Sequence, residues 1–100
     1  MFDVMMNLRY LRHFIAVAED LHFTRAADRL RIAQPALSRS IRMLEEELGV
    51  SLLERTQRSV RLTPAGRLYL DRAVRILQDI DRANEDVRRA SAGEAGRLSI

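Results

Sequence analysis

The sequence predicts a mostly α-helical fold: three short helices, a two-stranded hairpin and one long helix. Three observations predict it. Apolar residues recur at helical spacing through residues 8–48, and that period is lost between Gly49 and Leu62. From Thr63-Pro64 onward only Gly66 interrupts a helical pattern until about Ser91.

Leu8, Leu11, Phe14, Ile15, Ala18 and Leu21 line one face of a helix expected over Asn7 to Asp20, with Asn7 as its cap. Thr24 is the expected N-cap of a second helix, Arg25 to Arg31, whose Ala26, Ala27 and Leu30 face inward. The two alanines let a neighbouring helix approach closely. Ile32-Ala33-Gln34 forms a turn without glycine, and Pro35 opens a third helix in the turn where proline is tolerated. Its core stripe is Leu37, Ile41, Leu44 and Leu48, and Gly49 stops it. Ser51 to Arg55 and Ser59 to Leu62 are short strands around a Thr56-Gln57-Arg58 turn.

Thr63 caps the long helix and Pro64 takes its first position. At ~1.5 Å per residue this helix is about 40 Å long. A domain of its size cannot cover it end to end. Leu70, Leu77 and Asn84 share one heptad position, and Ala73, Ile80 and Val87 share the other. The first two turns of that seam are read as packing on their own domain. Beyond Ile80 the seam is read as pairing with a second protomer, where Asn84 would set the register. Ser91 to Gly96 reads as a hinge, and Arg97 to Ile100 as the first residues of a strand. The domain reading is therefore a head over 1–62 (1–5 being an extension or a misassigned start), a linker and dimerisation helix over 63–91, and over 92–100 the start of a further domain.

With 47% hydrophobic and 31% charged residues the chain reads as globular and soluble, not disordered. A core this small is marginal alone, and a partner copy would help. Without cysteine there is neither a disulfide nor a thiolate metal site. No secretory signal and no apolar run of membrane length occur, so a cytoplasmic protein with no membrane partner is expected. All 17 basic residues are arginine. GC-rich codon usage and a need for bidentate contacts to phosphate or guanine are both readings of that bias. Placement says more: Arg55 to Arg61 holds three arginines and no acid, whereas Glu45-Glu46-Glu47 is an acidic block.

Three short helices with a tight turn between the second and third make a helix-turn-helix, and the hairpin behind them is a wing. Ala26-Ala27, Leu30, Ile32-Ala33-Gln34-Pro35, Leu37-Ser38-Arg39, Ile41 and Leu44-Glu45 form a pattern that resembles the LysR-type transcriptional regulators of bacteria. The resemblance extends to Leu8 through Phe14, Phe23 to Ala27, Leu48-Gly49, Leu52 to Arg55 and Leu62 to Gly66, covering about Met6 to Ser91. It implies a winged helix-turn-helix head acting as a homodimer on pseudo-palindromic promoter DNA. It also implies, for a whole regulator, an inducer-binding domain, tetramers and RNA polymerase as a candidate partner. Ala33 stands where the family often has serine, which removes one helix cap.

The third helix agrees with that resemblance. With its leucines inward it presents Gln34, Pro35, Ala36, Ser38, Arg39 and Arg42 near an N-terminus that favours phosphate. Gln34 suits adenine, Arg39 suits guanine, and Pro35 or Ala36 suits a thymine methyl. Each has a plainer reading: Pro35 starts the helix, Ser38 bonds locally, and Arg42 sits on phosphate or a base. Thr24 is a cap, a phosphate contact, or both. Arg55, Arg58 and Arg61 are phosphate or minor-groove candidates, Arg58 at the tip above all; simple solvation is the alternative for each. By resemblance Thr63 also lies near the DNA backbone. Glu45-Glu46-Glu47 and Glu54 should face away from it.

Other chemistries find no support. His13 and His22 have no cysteine or carboxylate cluster that suggests a metal site, and they read as structural or surface residues. No serine has a base and orienting acid in a known motif, and no glycine-rich phosphate loop occurs. No enzyme and no cofactor are expected. A helical interaction module leaves Gln34, Arg39 and the wing arginines without a purpose, and a nonspecific binder would show a steep salt slope without site preference.

Overall fold

The structure, a computed structural model, describes the backbone of residues 4–98 and the side chains of residues 8–93. Helices α1 (Val4–Asp20), α2 (Phe23–Leu30) and α3 (Gln34–Leu48) lead into strands β1 (Leu53–Arg55) and β2 (Val60–Leu62), and α4 (Pro64–Leu98) follows. The first three helices pack on one another around Phe14, Val17, Ala26, Ala27, Leu37, Ile41 and Leu44, closed from the wing side by Leu52 and Leu53. Phe14, Ala26, Ala27, Leu37, Ile41 and Leu44 are positions that helical spacing placed inward, whereas buried Val17, with Tyr10 and Ala16, lies outside the stripe expected on α1. Two expected core residues are exposed because their helices end there, Leu21 (42%) after α1 and Leu48 (41%) at the end of α3, and Ile15 is only half-buried.

Several boundaries differ from expectation, each for a local reason. Asn7 does not cap α1, which starts at Val4; the methionines before Asn7 favour helix and carry it back. Leu21 ends α1 in the left-handed region (φ 49°) while its N–H still donates to Val17 O at 2.6 Å. That reversal brings His22, not Thr24, to the N-cap of α2, where its Nδ1 accepts the Arg25 N–H at 3.1 Å. Arg31 is not helical. It takes the left-handed C-cap (φ 59°), and its N–H reaches back to Asp28 O at 3.1 Å. A turn with no glycine thus uses an arginine where glycine would be less strained. Gly49 (φ 71°) caps α3 as expected, donating to Glu45 O at 2.8 Å.

The strands are antiparallel, pairing Leu53 with Leu62, Glu54 with Arg61 and Arg55 with Val60. They are shorter than expected because Ser51 and Leu52 are held from elsewhere. The Leu52 N–H donates to the Glu45 carboxylate at 2.7 Å, and the Leu52 carbonyl accepts from Thr63 N–H at 3.0 Å. Thr63 caps α4 as its sequence predicts, accepting the Gly66 N–H at 2.9 Å on its hydroxyl, which itself donates to Ser51 O at 2.7 Å.

The first turns of α4 pack on the head. Ala73 is fully buried, Leu70 and Tyr69 pack against the core, and the Phe14 and Tyr69 rings meet edge to face at 5.5 Å. Beyond Ile80 every described residue is exposed. The helix does not stop at the expected hinge. It runs through Ser91 to Gly96 and ends at Leu98, so Arg97 and Leu98 are helical, and Ser99 and Ile100 lie outside the described residues. Glu94 and Ala95 between the glycines, with Ala92 before and Arg97 after them, favour helix enough to offset about 1 kcal/mol for each glycine. The molecule measures 65 × 27 × 22 Å, with the length supplied by α4.

Candidate nucleic-acid interface

At 100° per residue, α3 divides into sectors. Leu37, Ile41 and Leu44 face the core. Gln34, Pro35, Ala36, Arg39 and Arg42 are exposed, and Ser38 is half-buried. One flank of α3 turns to the wing: Glu45 Oε2 accepts from Leu52 N–H at 2.7 Å and Leu53 N–H at 3.3 Å. The other turns to α1 across a groove whose lining includes His13, Pro35, Ala36, Arg39 and Ser40. Gln34 and Ser38, one turn apart, approach at 3.4 Å. Glu46 lies one turn beyond Arg42 on the outer face, so the acid-free part of that face is its N-terminal half.

The wing is held by three groups that its own sequence does not advertise. Glu45 ties its first strand to α3, as above. Arg55 reaches Glu45 Oε1 at 3.9 Å and stacks its guanidinium on Phe23 at the start of α2, 4.4 Å from the ring centroid. Thr56 closes the turn, its N–H donating to Ser59 O at 2.9 Å and its hydroxyl accepting the Ser59 N–H at 3.0 Å. Arg58 stands exposed at the tip and Arg61 is exposed on β2. A cleft of about 200 Å³ separates that tip from the start of α2, with Thr24 exposed on one wall and Arg58 on the other. The fold therefore brings together the outer face of α3, the start of α2 and the wing tip. It sets Arg55 inside the support of the wing, and Thr63 at the base of α4 with its hydroxyl already bonded on both sides.

Charge is sorted between head and helix. From Arg72 to Arg89, the arginines of α4 pair with acids on their own helix: Arg72 and Arg75 with Asp71, Arg82 with Asp79, Arg88 and Arg89 with Glu85, at 3.4–4.0 Å. In the head Arg29 pairs with Glu19 and Asp20, and Arg55 with Glu45. Among the described residues Arg9, Arg12, Arg25, Arg31, Arg39, Arg42, Arg58, Arg61 and Arg67 have no ion pair. Unpaired arginines among the described residues thus lie in the head and the first turn of α4, where they are available to an anionic partner.

Behind α3, His13 Nδ1 lies 2.8 Å from the hydroxyl of buried Ser40. Burial, and secondarily the charge of Arg9, holds the His13 pKa below its ordinary value of 6.5. No group of three or more histidines and acids among the described residues is arranged to hold a metal ion. No described helix is long and apolar enough to cross a membrane.

Comparison with known proteins places this arrangement. Residues 8–67 match the family of bacterial regulatory helix-turn-helix proteins of the lysR type. The chain is 52% identical over 95 residues to the uncharacterized HTH-type transcriptional regulator YnfL of Escherichia coli, covering 95% of this chain and 32% of that protein. It is 50% identical, over the same coverage, to the HTH-type transcriptional regulator AlsR of Bacillus subtilis. It thus spans about a third of the length of these relatives. Among solved structures, the DNA-binding domain of BenM in complex with benA site 1 DNA superposes with a TM-score of 0.82 at 49% identity, covering 86% of this chain and 97% of that one. The CbnR DNA-binding domain in its DNA complex gives 0.82 at 44% identity, covering 84% and 97%. The winged helix-turn-helix expected from the sequence is the fold of these domains, and the chain belongs to the lysR family of bacterial regulatory helix-turn-helix proteins.

Proposed function

We propose that this chain reads double-stranded promoter DNA as the head of a bacterial transcriptional regulator, acting in the cytoplasm as a homodimer. The observation that carries the proposal is the acid-free N-terminal half of the α3 outer face, exposed and bearing unpaired Arg39 and Arg42. The resemblance to domains solved on DNA supports it. Gln34, Pro35, Ala36, Ser38 and Arg39 contact base edges in the major groove, with Arg39 bidentate to guanine. Thr24 at the start of α2, Arg42, Arg58 and Arg61 contact backbone, and Arg58 enters the minor groove. Thr63, whose hydroxyl and N–H already donate to Ser51 O and Leu52 O, serves by holding the base of α4. Arg55 serves by holding the wing that carries Arg58. The seam beyond the head, from Leu77 through Ile80, Asn84 and Val87, pairs with its counterpart in a second copy, continuing the line that Leu70 and Ala73 begin against the head. Two heads so joined read half-sites about 34–36 Å apart, or a multiple of that distance. In the whole regulator, a small-molecule inducer, tetramers and RNA polymerase complete the partners.

Duplexes selected from a random pool at near-physiological salt test this reading. An imperfect inverted repeat is the expected product. Arg39→Ala then costs about 1–3 kcal/mol and relaxes one base pair per half-site. Retention of DNA with no shared motif would leave a nonspecific binder instead.

A further inference from the structure

The α1 wall of the groove between α1 and α3 has no role in the contacts proposed so far. Its volume is about 690 Å³, and its walls include Arg9 and His13 from α1 with Pro35, Ala36, Arg39 and Ser40 from α3. Arg9 is exposed and without an ion pair among the described residues, and so is Arg39. The two arginines thus line a single groove with no carboxylate in its lining.

Its position decides what it faces. The wing and the start of α2 lie together on one side of α3, and this groove lies on the other. An α-helix is about 10–12 Å across and the major groove is about 12 Å wide, so a helix lying there has a phosphate backbone along each flank. Thr24 and the wing arginines serve one of those strands. The second strand passes on the α1 side.

We propose that the Arg9 guanidinium binds a phosphate of this second strand, making the N-terminal half of α1 a further part of the DNA interface. The inference rests on the reading of α3 as the base-reading helix. Arg9 suits the task chemically, since guanidinium keeps its charge at any working pH and matches phosphate with paired N–H groups. His13 on the same wall is held toward its neutral form by burial and by Arg9, and it is bonded to Ser40. That leaves Arg9 as the cation on the α1 side of the groove. A phosphate contact positions the protein without reading a base, so Arg9 adds affinity and register but no sequence preference.

The test compares the parent chain, Arg9→Ala, Arg9→Lys and Arg39→Ala on one selected duplex across a salt series. Arg9→Ala is expected to bind about tenfold more weakly per protomer on matched and mismatched duplexes alike. Its log–log salt slope should be shallower by about 0.9 per protomer, and Arg9→Lys should restore that slope. Matched thermal melts exclude a folding defect, since Arg9 is exposed. Parent-like affinity and slope for Arg9→Ala overturn the inference while Arg39→Ala still loses its base. An affinity loss that keeps the full slope, or one that changes the preferred bases, overturns it as well. A parent chain that retains no duplex sinks the proposed function, and this contact with it.

Discussion

The guanidinium of Arg55 lies 4.4 Å above the ring of Phe23, so the wing is anchored to the start of α2 by a stacked cation. Phe23 is half-buried against the core, and the same guanidinium reaches Glu45 on α3 at 3.9 Å. One side chain from β1 therefore touches both helices of the helix-turn-helix. The separation of the wing tip from α3 is set through it.

Arg55→Ala should accordingly lower stability by about 1 kcal/mol, the scale of a partly exposed cation–π contact with a weak ion pair. Urea unfolding measures this. Arg55→Lys recovers only part, because an ammonium lacks the planar stack. Duplex affinity should fall in Arg55→Ala with the salt slope unchanged. A slope shallower by about 0.9 per protomer would instead return Arg55 to the phosphate contacts.

Gly66 and Gly93 should respond to alanine with opposite signs. A Cβ at Gly66 would collide with the Leu52 carbonyl oxygen, a backbone atom that itself accepts the Thr63 N–H. Gly66→Ala should therefore destabilise by about 1–3 kcal/mol despite the better helix propensity of alanine. At Gly93 nothing lies within 4 Å of the added methyl, and Gly93→Ala should stabilise α4 locally by up to about 1 kcal/mol. Thermal melts report the first effect, and amide exchange along α4 reports the second. A neutral Gly66→Ala would mean that the first turn of α4 can move off Leu52.

The His13 and Ser40 pair gives stability a pH dependence. The folded pKa of His13 is depressed below 6.5 by burial and then by Arg9, so the unfolded chain takes up the proton first. The contribution is complete above the unfolded value and is lost as pH falls below about 6.5 toward the lower folded value. Unfolding midpoints of the parent should drop over that range, and His13→Gln should remove that part of the drop. Equal slopes for the two proteins would show that His13 titrates normally.

What the sequence made legible follows from the range of the interactions involved. The three head helices were readable because Leu11, Phe14, Ala18, Leu37, Ile41 and Leu44 repeat at helical spacing, and burial of one face requires that spacing. Buried Val17 was not in the stripe read for α1. The Gly49 cap was readable because its glycine announces a left-handed residue. The same conformation at Leu21 and Arg31 was not, since neither residue type signals it, and the shift of the α2 cap from Thr24 to His22 followed. Glu45 was one acid in a run of three, and its bonds to the Leu52 and Leu53 amides depend on how the chain returns after Gly49. On the outer face of α3, Gln34, Pro35, Ala36, Arg39 and Arg42 are exposed as foreseen, but Ser38 is half-buried and Glu46, expected to face away, shares that face one turn beyond Arg42. Arg9 was not foreseen, because it joins that surface only through the packing of α1 against α3.

The far seam of α4 offers a separate test. Val87 is 68% exposed and Asn84 is exposed beside it, with nothing of the head reaching them. If a second copy covers them, Val87→Glu should weaken self-association by about tenfold or more, since burying a valine side chain contributes about 1.5–3 kcal/mol. Asn84→Leu should tighten it while loosening the choice of register. Sedimentation equilibrium reads both variants. Unchanged association in Val87→Glu would move the pairing surface elsewhere.

Helix α4 is continuous from Pro64 to Leu98, so it carries rotation as faithfully as length. Inserting one residue between Ala73 and Ile80 turns everything beyond it by about 100° about the helix axis, whereas inserting seven turns it by only about 20° short of two full revolutions. The head and the far seam are therefore locked in angular phase. Insertions of whole heptads should leave a paired molecule able to reach both half-sites at a longer pitch. Single insertions should leave each head intact and aim the two at different sides of the duplex.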